Sequence, residues 1–302
     1  MGPLLIIICT VIWGTAFLFQ KTGAEHYGPF TLTCYRNILA GFFLLAVVLV
    51  RDRFMRVARN ARSEYLGGAA SGVALFSAMI AQQLGIEHTT PGVSAFLTAN
   101  YILLVPVFAW IAGKGRPGWS VWAGVALALG GTYLISGGAA EGFGIGRGEL
   151  WTLLCAVLFA VQIMVVDRFA PGCDVIRFSM VQTFVAGICA APFILLPSEA
   201  SRLTLAHFRA GWFSLFYVSI MSSGIAYTMQ NLGQARTNAS VAAVLMSFES
   251  VVGAVSGWLA LGDAFTPAQT AGCALVFSAV VIAQLFSPAP SGRLSAAAYD
   301  LV

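Results

Sequence analysis

Apolar residues along this chain come in long unbroken runs rather than in alternation. Runs separated by Gly, Pro, Arg or acidic residues cover 3–21, 29–50, 65–86, 91–112 and 118–136, then 148–168, 175–197, 211–233, 239–261 and 267–286. Each has roughly the twenty residues that a helix needs to cross a hydrocarbon core. Within a bilayer every backbone N–H and C=O must be bonded inside the protein, which leaves helices or closed barrels, and the period-two alternation of barrel strands is missing. The pattern therefore predicts an all-α polytopic membrane protein with ten transmembrane helices. Connections are short, the longer ones being 51–64, 137–147 and 198–210, and residues 288–302 are expected to form a flexible C-terminal tail.

Composition sharpens the picture. The 302 residues are 59% hydrophobic and 9% charged, with a mean hydropathy of +0.85, against roughly 45–50% apolar and 25% charged in soluble domains. A soluble enzyme, a nucleic-acid binder and a disordered scaffold are excluded. The N-terminal run has no preceding basic region and no small-residue cleavage site, so it is expected to be a retained first helix.

The net charge of +4 is a topology signal before it is a binding surface, because five arginines (Arg51, Arg53, Arg56, Arg59 and Arg62) share one loop. With strict alternation of ten helices, these five fall on one side with Lys114, Arg116, Arg168, Arg236 and Arg293. The other side has Lys21, Arg147, Arg202 and Arg209, with Arg36 and Arg177 set aside as lying in spans. The first side should be cytoplasmic, with both termini inside. Five of the six cysteines (Cys9, Cys34, Cys155, Cys189 and Cys273) lie in apolar runs and Cys173 in a turn, with no metal-like spacing, so packing roles are expected.

The sequence also matches itself. Cys9, Ala40 and Gly41 align with Cys155, Ala186 and Gly187 at a spacing of 146 residues, where Trp13 meets Phe159. Leu84, Gly85, Thr89, Trp110 and Gly124 align with Leu232, Gly233, Thr237, Trp258 and Gly272 at 148. The nearly fixed spacing marks an internal repeat. Residues 1–137 would be a first five-helix unit and residues 147–287 a second. An odd number of spans makes the second copy enter from the opposite side, giving two inverted repeats, the basis of alternating access.

Local strings carry a further resemblance. TTPGVSAFLTANYILLVP from Thr89, WTLLCAVLFAVQIMVVDRF from Trp151 and VLMSFESVVGAVSGWLALGDAFTPAQTAG from Val244 resemble helices three to four, six, and nine to ten of EamA-type members of the drug/metabolite transporter superfamily. Trp13–Gly14 and Arg36 agree with it. Glu249–Ser250 stands where the family commonly has Glu-Pro, and Leu261–Gly262–Asp263 where it often has Leu-Gly-Glu. The resemblance implies an inner-membrane carrier of small metabolites, often an exporter of amino acids or related compounds.

Candidate site residues follow from the cost of polarity in a bilayer. Glu249 lies near the middle of its span, where an ionisable group costs roughly 2.5–3.5 kcal/mol and so faces an interior with a partner or a proton. Substrate binding or proton coupling is expected of it. Arg36 is a candidate for an anionic substrate group, for pairing with Glu249, or for snorkelling toward the surface. Gln82, Asn100, Tyr101, Gln162 and Tyr227 are mid-span polar groups suited to a largely apolar cavity, and Trp13 offers it an aromatic wall. The close-spaced glycines Gly68/Gly72 and Gly253/Gly257 suit tight helix packing, and Pro106 suits a kink.

The expected partners are a small-molecule substrate, the lipid bilayer and protons, with no nucleic acid and no cofactor, and oligomeric state is open. A passive channel or membrane receptor is the alternative. An intramembrane enzyme built on Ser94 is weaker, since His26, His88 and His207 all sit in or beside loops and there is no His-Glu-x-x-His or phosphate-cradling glycine loop.

Overall fold

The computed structural model describes residues 2–55, 57, 60–113, 116, 118–135, 146–236, 239–262 and 264–285. Loop arginines Arg56 and Arg59, Lys114, Asp263 and the tail lie outside them, as does the Leu-Gly-Asp ending at its last residue.

Helices α1 (Gly2–Ala24) and α2 (Pro29–Phe54) are followed by a π-helical turn, Arg62–Gly67, that leads into α3 (Gly68–Glu87). Next come α4 (Pro91–Thr98), α5 (Tyr101–Ile111) and α6 (Trp119–Ile135). The second half has α7 (Arg147–Phe169), α8 (Val175–Ala190) with a 3-10 extension Ala191–Leu195, and the short α9 (Pro197–Ala200). Helices α10 (Leu205–Phe216) and α11 (Tyr227–Arg236) are joined without interruption by a π-helix, Tyr217–Ala226. Helices α12 (Ala239–Leu261) and α13 (Pro267–Leu285) are the last described elements.

Six helical segments are at once long and apolar enough to cross a membrane among the described residues: Gly2–Ala24, Pro29–Phe54, Arg62–Glu87, Pro91–Ile111, Arg147–Phe169 and Val175–Leu195. Trp122–Gly131 and Phe248–Leu261 are shorter apolar stretches. The protein is thus an all-helical, multi-pass membrane protein, while the count of ten continues to rest on the sequence pattern. Large apolar side chains such as Phe42 (58% exposed) and Leu259 (71%) point away from the bundle, where hydrocarbon would meet them.

Local chemistry sets the helix ends. Pro29 opens α2 at the position where its missing N–H costs nothing. The side chains of Thr90, Asp174 and Thr204 accept from the first free N–H groups of α4, α8 and α10. The apolar run 91–112, expected as one helix, is broken between α4 and α5. There Asn100 N–H bonds Leu97 O, Ile102 N–H bonds Ala99 O and Leu103 N–H bonds Asn100 O, three-residue steps that tighten the chain just ahead of Pro106.

Close helix approach follows the small residues. A Cβ on Gly14 would lie 2.5 Å from Val252 Cβ, so α1 and α12 touch backbone to side chain, and a Cβ on Gly253 would lie 2.6 Å from Ala95 Cβ. Gly68 and Gly72 press onto Val181 and Val185 of α8. The crossing of α2 and α8 is reciprocal: a Cβ on Gly41 would lie 2.7 Å from the Phe184 ring, and one on Gly187 would lie 2.7 Å from the Ile38 side chain. Ile38 and Phe184, like Gly41 and Gly187, are 146 residues apart.

Both ends of that crossing are fastened. At the C-terminal end of α2, Arg51 forms an ion pair with Asp174 (Nη1 to Oδ1 2.8 Å), Arg177 pairs with Asp52, and Arg177 Nε lies 3.1 Å from Asp174. At the other end the buried Glu199 accepts from the backbone N–H of Phe30 (3.2 Å) and Thr31 (2.9 Å) and from the Thr31 hydroxyl (2.6 Å), capping α2 from a distant part of the chain.

Candidate functional site

A cavity lies at the centre of the bundle, between α1, α2, α3, α4, α5, α7, the π-helix with α11, and α12. Its wall includes Trp13, Phe17, Gln20, Arg36, Gln82, Thr98, Tyr101, Phe159, Ile163, Ser222, Tyr227, Gln230 and Glu249. In this conformation its free volume is about 20 Å³, space for about one water.

The Arg36 guanidinium is 3% exposed and is held by neutral oxygens. Its Nε donates to Ser223 Oγ (2.9 Å), Nη2 to Ser222 Oγ (3.0 Å) and Nη1 to Gln20 Oε1 (3.2 Å). These fix the fork inside the bundle and take three of its five N–H groups; it does not snorkel. No carboxylate lies within 4.0 Å of it among the described residues, so the expected pairing with Glu249 is absent here. The two serines are consecutive in the π-helix, whose wide winding brings both to one guanidinium. π-segments recur at functional sites for such reasons.

Glu249, 6% exposed, accepts a hydrogen bond of 3.3 Å from Tyr101 Oη. Trp13 and Tyr227 stack obliquely with ring centroids 4.7 Å apart, and Tyr101 approaches Phe159 at 6.2 Å. Among the described residues, the buried wall atoms Trp13 Nε1 and Gln230 Oε1 have no hydrogen-bond partner, and Thr98 Oγ1 has only the Cys155 thiol beside it. A donor, a hydroxyl and an acceptor, with the spare N–H groups of Arg36, make a site able to bind a polar solute inside aromatic walls.

Of the eight sequence candidates, Glu249, Arg36, Trp13, Gln82, Tyr101 and Tyr227 meet at this cavity, and Asn100 and Gln162 do not. Asn100 bonds the Leu97 carbonyl at 3.0 Å and stabilises the α4–α5 break. Gln162 is fully buried on the α3 side of α7, donating to Ser71 Oγ at 3.4 Å. Sequence reasoning missed Gln20, Thr98, Ser222 and Gln230. The repeat contained a clue: Gln82 and Gln230 are 148 residues apart, as are Tyr101 and Glu249, while Trp13 and Phe159, and Phe17 and Ile163, are 146 apart. All eight line the same cavity.

The sequence profile of the EamA-like transporter family matches residues 1–137 and again 146–284. The chain belongs to the EamA-like transporter family. Among EamA-related proteins, it is 26% identical to an uncharacterized transporter of Archaeoglobus fulgidus over 93% of this chain and 84% of that one. It is 20% identical to the S-adenosylmethionine/S-adenosylhomocysteine transporter of Chlamydia muridarum over 92% of each chain. A crystal structure with 22% sequence identity shares the fold, with a TM-score of 0.64 over 92% of this chain and 97% of that one. The EamA assignment makes a transport role and membrane embedding part of this protein's description.

Proposed function

We propose that the protein is a carrier that moves a small organic metabolite, such as an amino acid or related compound, outward across the cytoplasmic (inner) membrane by alternating access. In this reading ten transmembrane helices form two inverted five-helix repeats, residues 1–137 and 147–287, with both termini in the cytoplasm. The observation that carries it is a central cavity whose wall draws residues 146 or 148 positions apart from both halves and holds Arg36 and Glu249 away from lipid. The doubled family match and the reciprocal α2–α8 crossing support the same reading. The free volume of about one water supports a carrier over a channel, because an open pore would need a continuous aqueous route.

Glu249 is the proposed proton-coupling group and Arg36 the contact for an anionic substrate group. The experiment is counterflow in proteoliposomes with a panel of amino acids, nucleosides, amines and S-adenosyl compounds, comparing wild type with Glu249→Gln across pH. Trans-stimulated exchange of at least one solute by the wild type supports a carrier, and its absence for every solute counts against it. Exchange by Glu249→Gln that follows the wild-type pH profile would remove the proton role.

A further inference from the structure

The cavity is symmetric in part and lopsided in part. Trp13, Phe17, Gln82 and Tyr101 line it together with their counterparts one repeat later, but Arg36 does so without its counterpart, Gln182, 146 residues on, and Ala16 without Gln162. The cavity therefore reaches toward the end of the bundle where α2 begins and is shut toward the end where α2 finishes.

At that shut end Gln182 and Gln162 belong to a polar cluster with no exposure at all. Asn231 Nδ2 donates to Ser179 Oγ (2.9 Å) and to Gln182 Oε1 (3.2 Å), and Gln162 donates to Ser71 Oγ (3.4 Å). The two groups meet where α3 crosses α8, since a Cβ on Gly72 would lie 2.6 Å from the Gln182 carbonyl. Among the described residues, Gln182 Nε2, Gln162 Oε1 and Asn231 Oδ1 have no partner. A cluster that served only to bind helices together would satisfy its own members, because an unpaired buried polar atom costs about 1–3 kcal/mol.

We infer that Gln162, Gln182 and Asn231, with Ser71 and Ser179, are the far half of the solute path, dry and closed in this conformation and wetted when the carrier turns. The inference rests on the transport reading above. In a molecule of two inverted repeats, each repeat in turn takes the shape the other has just left, so residues equivalent to the open wall become wall in the opposite state. The three orphaned atoms then gain water or solute as partners. The asymmetry has a chemical consequence: the near half offers a cation at Arg36 and the far half a neutral amide at Gln182, so an anionic solute is held more tightly from the side where α2 begins.

The test uses the full-length protein in proteoliposomes of both orientations, with Ser71→Cys, Ser179→Cys and Ser222→Cys as single variants. Each is exposed to a membrane-impermeant methanethiosulfonate and read peptide by peptide by mass spectrometry. Ser71→Cys and Ser179→Cys should label about tenfold faster from the side of the α2 C-terminus than from the other, whereas Ser222→Cys should show the reverse preference. Serine-to-cysteine changes are nearly isosteric, and Gln182→Leu supplies a second measurement, with solute exchange expected to fall about tenfold while Ser222→Cys remains reactive. If Ser222→Cys labels but Ser71→Cys and Ser179→Cys stay inert from both sides, the far-half assignment is wrong and the central cavity stands. If none of the three labels, the cavity reading fails and this inference falls with it.

Discussion

Arg36 shows how a single side chain can organise a membrane site. Three neutral oxygens orient its guanidinium without cancelling its charge, so the charge is available to an anionic solute. Arg36→Lys keeps the charge but loses the planar fork that spans Ser222, Ser223 and Gln20. Since hydrogen bonds to charged groups are each worth about 1.5–3 kcal/mol, exchange by this variant should fall at least about tenfold at unchanged protein level, measured by initial-rate counterflow. Tyr101→Phe removes the hydroxyl that donates to Glu249 and should shift the pH profile of exchange rather than abolish it.

Cys173 allows an independent check at the same scale. It lies in the turn before α8, where burial, with Glu64 and Asp174 nearby, pushes its thiol up to about 11. The thiolate is the reactive form, so at neutral pH its fraction is about a hundredfold below that of an ordinary thiol. Alkylation of Cys173 should accordingly be slow at pH 7 and accelerate through pH 10, a profile that peptide mass spectrometry reads directly. A rate at pH 7 equal to that of a free thiol would contradict the described burial.

At the scale of elements, the π-helix Tyr217–Ala226 is the least expected feature. Its sequence reads as an ordinary apolar run, and nothing in periodicity distinguishes four-residue from five-residue hydrogen bonding within it. What was legible was the apolar length; what was not was which backbone register would place Ser222 and Ser223 on Arg36, because that is decided by a partner on another helix. The same holds for the break at Asn100, where Pro106 gave warning of a bend but not of its position several residues earlier. Ser222→Ala with Ser223→Ala should destabilise the protein by about 3 kcal/mol, from two lost bonds to a charged group, in an equilibrium unfolding titration in detergent. Glu199→Ala, which uncaps α2, should cost about 1–3 kcal/mol in the same measurement.

Across the whole molecule, the division of labour between sequence and structure is physical. The all-helical class, the family and six of the ten expected spans were readable because lipid imposes long apolar runs and the family strings sit within them. Six of eight candidates reached the cavity because a polar group in mid-span has few places to go. Gln20 and Gln230 were hidden by their position near span ends, Gln20 beside Lys21 and Gln230 beside Asn231, where a polar residue is unremarkable. Gln162 and Asn100 were equally polar and equally central, and only the rotation of α7 and the fold of the α4–α5 break sent them elsewhere.

The crossing of α2 over α8, knotted by glycines at its centre and tied by charge at one tip and by Glu199 at the other, bears on how any transport cycle would be observed. Two rods joined at three points make a poor hinge and a good chassis. Spin labels placed on this pair should report one separation throughout turnover, which makes it the natural frame of reference for tracking every other helix.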